Sequence, residues 1–248
     1  MRPAHASLVA SAAGAFAILA PVAPVQAQDF NFGRPNSSLT MRVGYFAPRA
    51  ESDLFDFTID NLTVERDDFG AASLEFEYRR ALTDQLSLAF GVAFNESNVQ
   101  SESREFIGTD GLPILQETRF ARAPLNAGVR YHLVRPGRRI SSLAWISRTF
   151  VPYVDAGIGW AFFEFEQEGE FVDEVTLDIW WDHFTTEGSS SMAYAGAGFE
   201  YTLGKRVAMD VGGRYIWSDA SIGGSDYVGF EGIDLSGMTF TAGLNVRW

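Results

Sequence analysis

Three histidines, no cysteine and a large surplus of carboxylates limit the chemistry open to this chain. His5 lies in an apolar leader, so His132 and His183 are the histidines left for acid–base work near neutral pH. His183 precedes Ser189, Ser190 and Ser191, and a nucleophile and a base could be drawn from that set. Nucleophilic catalysis needs the base within hydrogen-bond reach of the hydroxyl and a third group to orient it. Neither histidine stands at a motif-like distance from a serine, so no enzyme activity is expected. The absence of cysteine removes disulfides and thiolate metal sites, and two histidines are too few for a His/Cys centre. No metal and no cofactor are expected. Gly157-Ile158-Gly159 and Gly196-Ala197-Gly198 look like fragments of a dinucleotide loop, but no strand-to-helix context follows. They read better as narrow positions in strands.

The sharper signal is a set of charged residues that alternate with bulky apolar ones. Arg42, Glu75, Glu77, Arg79, Arg122, Arg130, Asp155, Glu200, Asp210, Arg214 and Arg247 all fall on one parity of their segments. Six are arginine, five are acidic and none is lysine. Gly44, Gly91, Gly128, Gly157, Gly159, Gly196, Gly198 and Gly212 share their face. Charges in a narrow, low-dielectric space must be paired, and a guanidinium fork suits carboxylates. The expected chemistry is therefore an internal Arg–carboxylate network.

Strands must hold such a set. Leu86, Leu88, Phe90, Val92 and Phe94 share one face, with Ser87, Ala89, Gly91 and Ala93 on the other. Met238, Phe240, Ala242, Leu244, Val246 and Trp248 repeat the pattern at the C-terminus. Period-2 alternation marks strands. Eight such segments are expected, near 38–46, 70–80, 85–95, 118–133, 150–166, 191–203, 206–218 and 237–248. The stretch 167–190 could hide another hairpin and raise the number to ten. Small and charged residues on one face with bulky ones on the other put the bulky face outside, against lipid. The fold expected is all-β, an antiparallel up-and-down transmembrane barrel. A soluble ligand-binding barrel would need the opposite orientation.

Aromatic residues support this. Tyr78, Tyr131, Tyr201 and Trp248 end the even segments on the apolar face; Tyr45, Phe94, Trp160, Phe162 and Trp217 end the odd ones. Each set is expected to form one interfacial girdle. Short turns near Thr83-Asp84 and Gly204-Lys205 alternate with long connections at about 47–68, 95–117, 167–190 and 219–236. Short periplasmic turns and long outer loops are the usual asymmetry. Residues 135–149 break it, being long for a periplasmic turn and carrying Arg135, Arg138, Arg139 and Arg148 without an evident role.

Residues 1–27 read as a secretory signal peptide: Arg2, an apolar run from Leu8 to Ala20, then Val25-Gln26-Ala27 before the cut. Residues 28–248 form the expected barrel domain. The net charge of −13 argues against nucleic acid as a partner. Residues 164–190 hold nine carboxylates and no basic residue. Solvated loops explain them. Weak divalent cation binding, bridging to lipopolysaccharide phosphates, is the sharper alternative, though no EF-hand spacing is present. Val175, Leu177, Ile179 and Trp181 share a face in this stretch. They suit strands that extend above the membrane, or a partner-binding surface.

With its leader, two Tyr-turn-strand units (Tyr78 to Phe90, Tyr201 to Tyr215) and final strand, the chain resembles the small Gram-negative outer-membrane barrels. That superfamily includes the OmpA transmembrane domain, OmpX and OmpW. The resemblance implies that Phe240, Leu244, Val246 and Trp248 form the signal read by the outer-membrane assembly machinery, with Trp248 where Phe is commoner. It also implies outer-membrane lipid and lipopolysaccharide as surroundings. An eight-stranded barrel is just wide enough for its interior to be filled by side chains. A side-chain-filled polar lumen with a structural or surface-interaction role is therefore expected. The alternative is a narrow channel for small solutes, which the many lumen glycines would allow.

Overall fold

The computed structural model describes residues 31, 33–141, 144–173, 176–223 and 227–248. The expected signal peptide lies outside them, as do Glu174, Val175 and Asp226. In chain order the strands are β1 (Ser37–Pro48), β2 (Ala71–Ala81), β3 (Leu86–Ile107), β4 (Pro113–His132), β5 (Gly137–Ser141) and β6 (Ala144–Ser147). They continue with β7 (Phe150–Val172), β8 (Ile179–Thr202), β9 (Val207–Trp217), β10 (Asp219–Ala220), β11 (Ile233–Asp234) and β12 (Gly237–Arg247). One helix, α1 (Asp53–Asn61), and a 3-10 turn (Arg66–Phe69) fill the β1–β2 connection.

Eight of these strands close into an antiparallel ring in the order β1-β12-β9-β8-β7-β4-β3-β2. β1 pairs with β12 from Ser38↔Arg247 to Pro48↔Gly237, so no edge remains open. Among its described residues the stretch 167–190 adds no further strand pair. It lengthens β7 and β8, which stay in register from Phe150↔Tyr201 to Val172↔Ile179. The 95–117 connection likewise becomes strand, in β3 and β4. About ten residues cross a bilayer as a tilted strand, so 20-residue β4 and 23-residue β7 project well beyond it.

Side chains alternate as period 2 requires. Met41, Val43 and Tyr45 point outward in β1, while Thr40, Arg42 and Phe46 are buried inside. Outward residues of neighbouring strands meet across the ladder, as in Leu125↔Trp160 and Tyr78↔Phe90. Tyr45, Phe94, Trp160, Phe162 and Trp217 are exposed toward one end, and Tyr78, Tyr131, Tyr201 and Trp248 toward the other. The Tyr78 and Trp248 rings lie 6.5 Å apart.

The short-turn end holds both the start of β1 and Trp248, whose carbonyl accepts the Asn36 and Ser37 backbone N–H groups. It also holds the basic 135–149 stretch, which folds as the β5–β6 hairpin. The long-hairpin end holds α1. Its acidic first turn, Asp53 and Asp56, suits the positive end of a helix. Leu54 and Phe55 on one face are fully buried inside the barrel mouth. Leu62 ends the helix in extended conformation, donating its N–H back to the Thr58 carbonyl.

Candidate functional site: a lumen in two layers

The lumen differs sharply between its two halves. In the short-turn half, five arginines meet five carboxylates. Arg42 donates to Glu75 (2.8 Å), Glu77 (2.9 Å) and Asp210 (2.8 Å). Arg130 reaches Asp210 (2.7 Å), Asp155 (2.9 Å) and Glu77 (3.1 Å). Arg214 spans Glu75, Glu77 and Asp155, and Arg79 holds Glu200, which also accepts from Arg247 at 2.6 Å. These groups come from β1, β2, β4, β7, β8, β9 and β12, so the network ties almost the whole ring together. Equal numbers of opposite charge, most of them multiply hydrogen-bonded, offset the cost of taking ions out of water.

Tyrosine rings complete this layer, and glycines make the space for them. Gly157 and Gly128 are paired across β7 and β4, and the Tyr194 ring from β8 folds over both. A Cβ on Gly157 would stand 2.6 Å from Tyr194 Cε1. Gly198 and Gly212 are likewise paired, and Tyr153 lies over them, with its Oη 2.6 Å from where a Cβ on Gly198 would sit. Tyr153 Oη donates to Asp210 at 2.9 Å, and the Arg130 guanidinium stacks 3.6 Å over the Tyr153 ring. The space beside these glycines is therefore filled.

Arg122 is the exception among the sequence-predicted network residues. It is buried in the lumen but forms no ion pair among the described residues. It donates one hydrogen bond to the Leu235 carbonyl and stacks on Phe46, while its Nε and Nη2 have no partner. The reason is its height on β4: two positions beyond Pro124, it has left the charged layer. Just below, Ser73, Asn95, Asn126 and Tyr194 line a cavity of about 20 Å³, each with a side-chain polar atom lacking a protein partner among the described residues. A polar cavity of this size suits a single water.

Above Arg122 the lumen is mainly apolar. Phe55 of α1 packs edge-on against Phe69 (4.9 Å between centroids), Phe120 (5.4 Å) and Phe165 (5.8 Å). Leu54, Leu62, Val64, Ile216 and Leu235 complete this core. The Arg–carboxylate network expected throughout the lumen is thus confined to one half, and the other keeps only neutral polar side chains such as Thr118, Gln167 and Thr186 among its apolar ones. The plug was missed because a nine-residue helix inside a long connection gives no period-2 signal. The run Leu54-Phe55-Asp56-Phe57, too apolar for a solvated loop, was the clue.

Loops lock the plug in place. Arg49 Nε donates to Asp234 Oδ2 at 2.7 Å, and the Glu51 and Ser236 backbone N–H groups add 3.2 and 2.9 Å bonds to the same carboxylate. Burial alone would raise the Asp234 pKa, but the Arg49 hydrogen bond and these N–H groups outweigh it and hold the carboxyl below its ordinary value. Arg104 donates to the Ile59 carbonyl (3.0 Å), and Glu231 N–H to Asp53 (2.7 Å).

His132 Nε2 stands 3.6 Å from Glu200, and His183 Nε2 stands 3.8 Å from Glu166 on the exterior. Ser190 Oγ turns instead to the Asp219 carbonyl.

The closed ring with an outward apolar belt matches one family of sequences over nearly its whole length: outer membrane protein beta-barrel domains, across residues 11–247. The chain belongs to this family. It is therefore a bacterial outer-membrane barrel, and its short-turn end faces the periplasm, with the long hairpins outside. No curated protein matches it. Among solved structures, OprG of Pseudomonas aeruginosa is 13% identical, with 88% of this chain and 99% of that one covered at a TM-score of 0.51. Neisserial surface protein A is 13% identical, covering 86% and 96%, with a TM-score of 0.46. Outer Membrane Protein W of E. coli is 14% identical, covering 87% and 100%, with a TM-score of 0.40. At these identities the likeness concerns the fold of this outer-membrane barrel and nothing finer.

Proposed function

We propose that this barrel is occluded and works through its outer surface rather than by passing solutes. The observation that carries the reading is the double closure of the lumen: an apolar helical plug in the outer half and a balanced ion network in the periplasmic half. Either layer alone leaves no water-filled path through an interior of eight-strand width. Of the small lumen positions that favoured a channel, Gly157 and Gly198 lie under Tyr194 and Tyr153, and Gly91 faces the Asn126 side chain. The role then falls to the outer hairpins, where Leu177, Trp180 and Trp181 are exposed at the tip of β7–β8 above a rim of carboxylates. Exposed apolar side chains within a charged rim suit protein or surface contact. The carboxylates suit weak divalent cation binding, perturbing neither layer. Export rests on the leader over residues 1–27, and assembly on Phe240, Leu244 and Val246, which point outward on β12, with the exposed Trp248 just beyond it.

Planar-bilayer recording tests the reading. The refolded barrel is expected to give little or no steady conductance at neutral pH. A large, stable open state would overturn it in favour of a solute channel.

A further inference from the structure

Apart from Arg104 on the outer side and Arg122 in the lumen, the described cations that have no carboxylate partner are gathered at one end. On the outer side the arginines are engaged: Arg49 with Asp234, Arg66 with Asp56 (2.6 Å), Arg119 with Glu96 and Glu166 (2.9 Å each), and Arg104 with the Ile59 carbonyl. On the periplasmic side Asp84 is the one acidic side chain among the described residues, and Arg34 holds it at 2.7 Å. Arg135, Arg138, Arg139, Arg148, Lys205 and Arg206 form no ion pair there among the described residues.

Each periplasmic connection also carries an exposed apolar side chain beside its cations. Leu82 follows Arg80. Leu133 precedes Arg135, and Ile140 follows Arg138 and Arg139. Phe150 lies next to Arg148, and Leu203 precedes Lys205 and Arg206. All five apolar side chains are more than half exposed. They continue the Tyr78, Tyr131, Tyr201 and Trp248 girdle downward. A hydrated anionic polymer would leave these side chains in water, whereas a lipid leaflet buries them and places phosphate at the level of the cations. The β5–β6 hairpin adds a concave element. Arg34, Arg135, Arg138 and Arg139, with Trp145 as a wall, surround an open cleft of about 460 Å³; Asp84 also lines it, but its charge is taken up by Arg34, which leaves the three hairpin arginines unpaired among the described residues. Trp145 is itself fixed by reciprocal backbone hydrogen bonds with Asn31 (2.9 and 3.1 Å).

We propose that the periplasmic rim is a collar for the phosphates of anionic phospholipids in the inner leaflet of the outer membrane, with the cleft of the β5–β6 hairpin as its strongest headgroup site. The arginines of that hairpin, for which the sequence offers no role, are its phosphate ligands. Guanidinium forks recognise phosphate oxygens in pairs, and the long side chains reach the headgroup level from the turn.

Native mass spectrometry of the full barrel in detergent, titrated with phosphatidylglycerol, phosphatidylcholine or glycerol phosphate, tests this. Phosphatidylglycerol is expected to be retained in preference to phosphatidylcholine, and the preference to weaken as salt rises. The combined variant Arg135→Gln, Arg138→Gln, Arg139→Gln is expected to lose affinity for phosphatidylglycerol by about five-fold per charge removed. Arg66→Gln on the outer side should leave it unchanged. Equal retention of the two lipids, a preference indifferent to salt, or glycerol phosphate binding as tightly as the lipid would each overturn the collar; the last would mark a site for soluble phosphate. If the triple variant does not fold, the lipid preference and salt dependence of the unmodified barrel decide.

Discussion

The Arg122 guanidinium lies 3.6 Å from the centroid of the Phe46 ring, at the level where the charged lumen gives way to the apolar plug. This contact and one backbone carbonyl are its compensation for burial, because the ion network below it is complete without it. A buried charge held this way adds little net stability, whereas one held by several carboxylates leaves them uncompensated when it is removed. Arg130→Met is therefore expected to destabilise the barrel by about 3–5 kcal/mol, and Arg122→Met to be neutral or stabilising within about 1 kcal/mol. Urea unfolding in lipid vesicles checks this. Equal losses in the two variants would show that Arg122 shares the network.

The glycine pair under Tyr153 makes a second test. Gly212→Leu would drive a side chain against the Tyr153 hydroxyl and break its hydrogen bond to Asp210, at an expected cost of about 1–3 kcal/mol. Adding Tyr153→Ala vacates the space and should recover part of that loss. Unfolding of the single and double variants, read as a double-mutant cycle, measures the coupling. Strict additivity would contradict the packing described.

Acid should loosen the outer plug before it loosens the barrel wall. Asp234 sits below its ordinary carboxyl pKa in the folded chain. Its contribution is therefore present in full above the unfolded value of about 4 and is lost as pH falls through the folded value. Hydrogen exchange in residues 49–70 is expected to rise as pH drops below about 4. In Asp234→Asn it should already be raised at pH 7 and respond little to acid. A wild-type plug with pH-independent exchange would remove Asp234 as its latch.

The proposed occlusion requires that the two lumen layers block independently, so that opening one is not enough. Replacing residues 51–69 by a short flexible turn is expected to leave single-channel conductance small, since the ion network still spans the ring. Steady conductance should appear when that replacement is combined with Arg130→Ala and Arg214→Ala. A fully open pore from the plug deletion alone would show that the charged layer is permeable.

Much of this molecule was readable from its residues, and the parts that were not share a cause. Lipid imposes an apolar face, so Leu86 to Phe94 and Met238 to Trp248 announce themselves by alternation. Beyond the bilayer both faces of a strand meet water or polar neighbours, and the alternation fades while the backbone ladder continues. Glu96, Asn98 and Gln100 face outward from β3 opposite Ser97 and Ser101, and so read as loop. The charged lumen residues were visible by parity. Their pairing was not, because Arg130 and Asp210 lie 80 residues apart and meet only when the ring closes. Arg122 carries the right parity and the wrong height, and parity says nothing of height.

The placement of α1 also bears on the order of events during folding. The helix lies in the β1–β2 connection, and β1 meets β12 across nearly the whole chain, the costliest loop to close. The seat formed by Phe120, Phe165 and Ile216 belongs to β4, β7 and β9, which can associate earlier through nearer neighbours. Seating the stopper and sealing the seam therefore become one late event, and a barrel stalled before it would be both unzipped and uncorked.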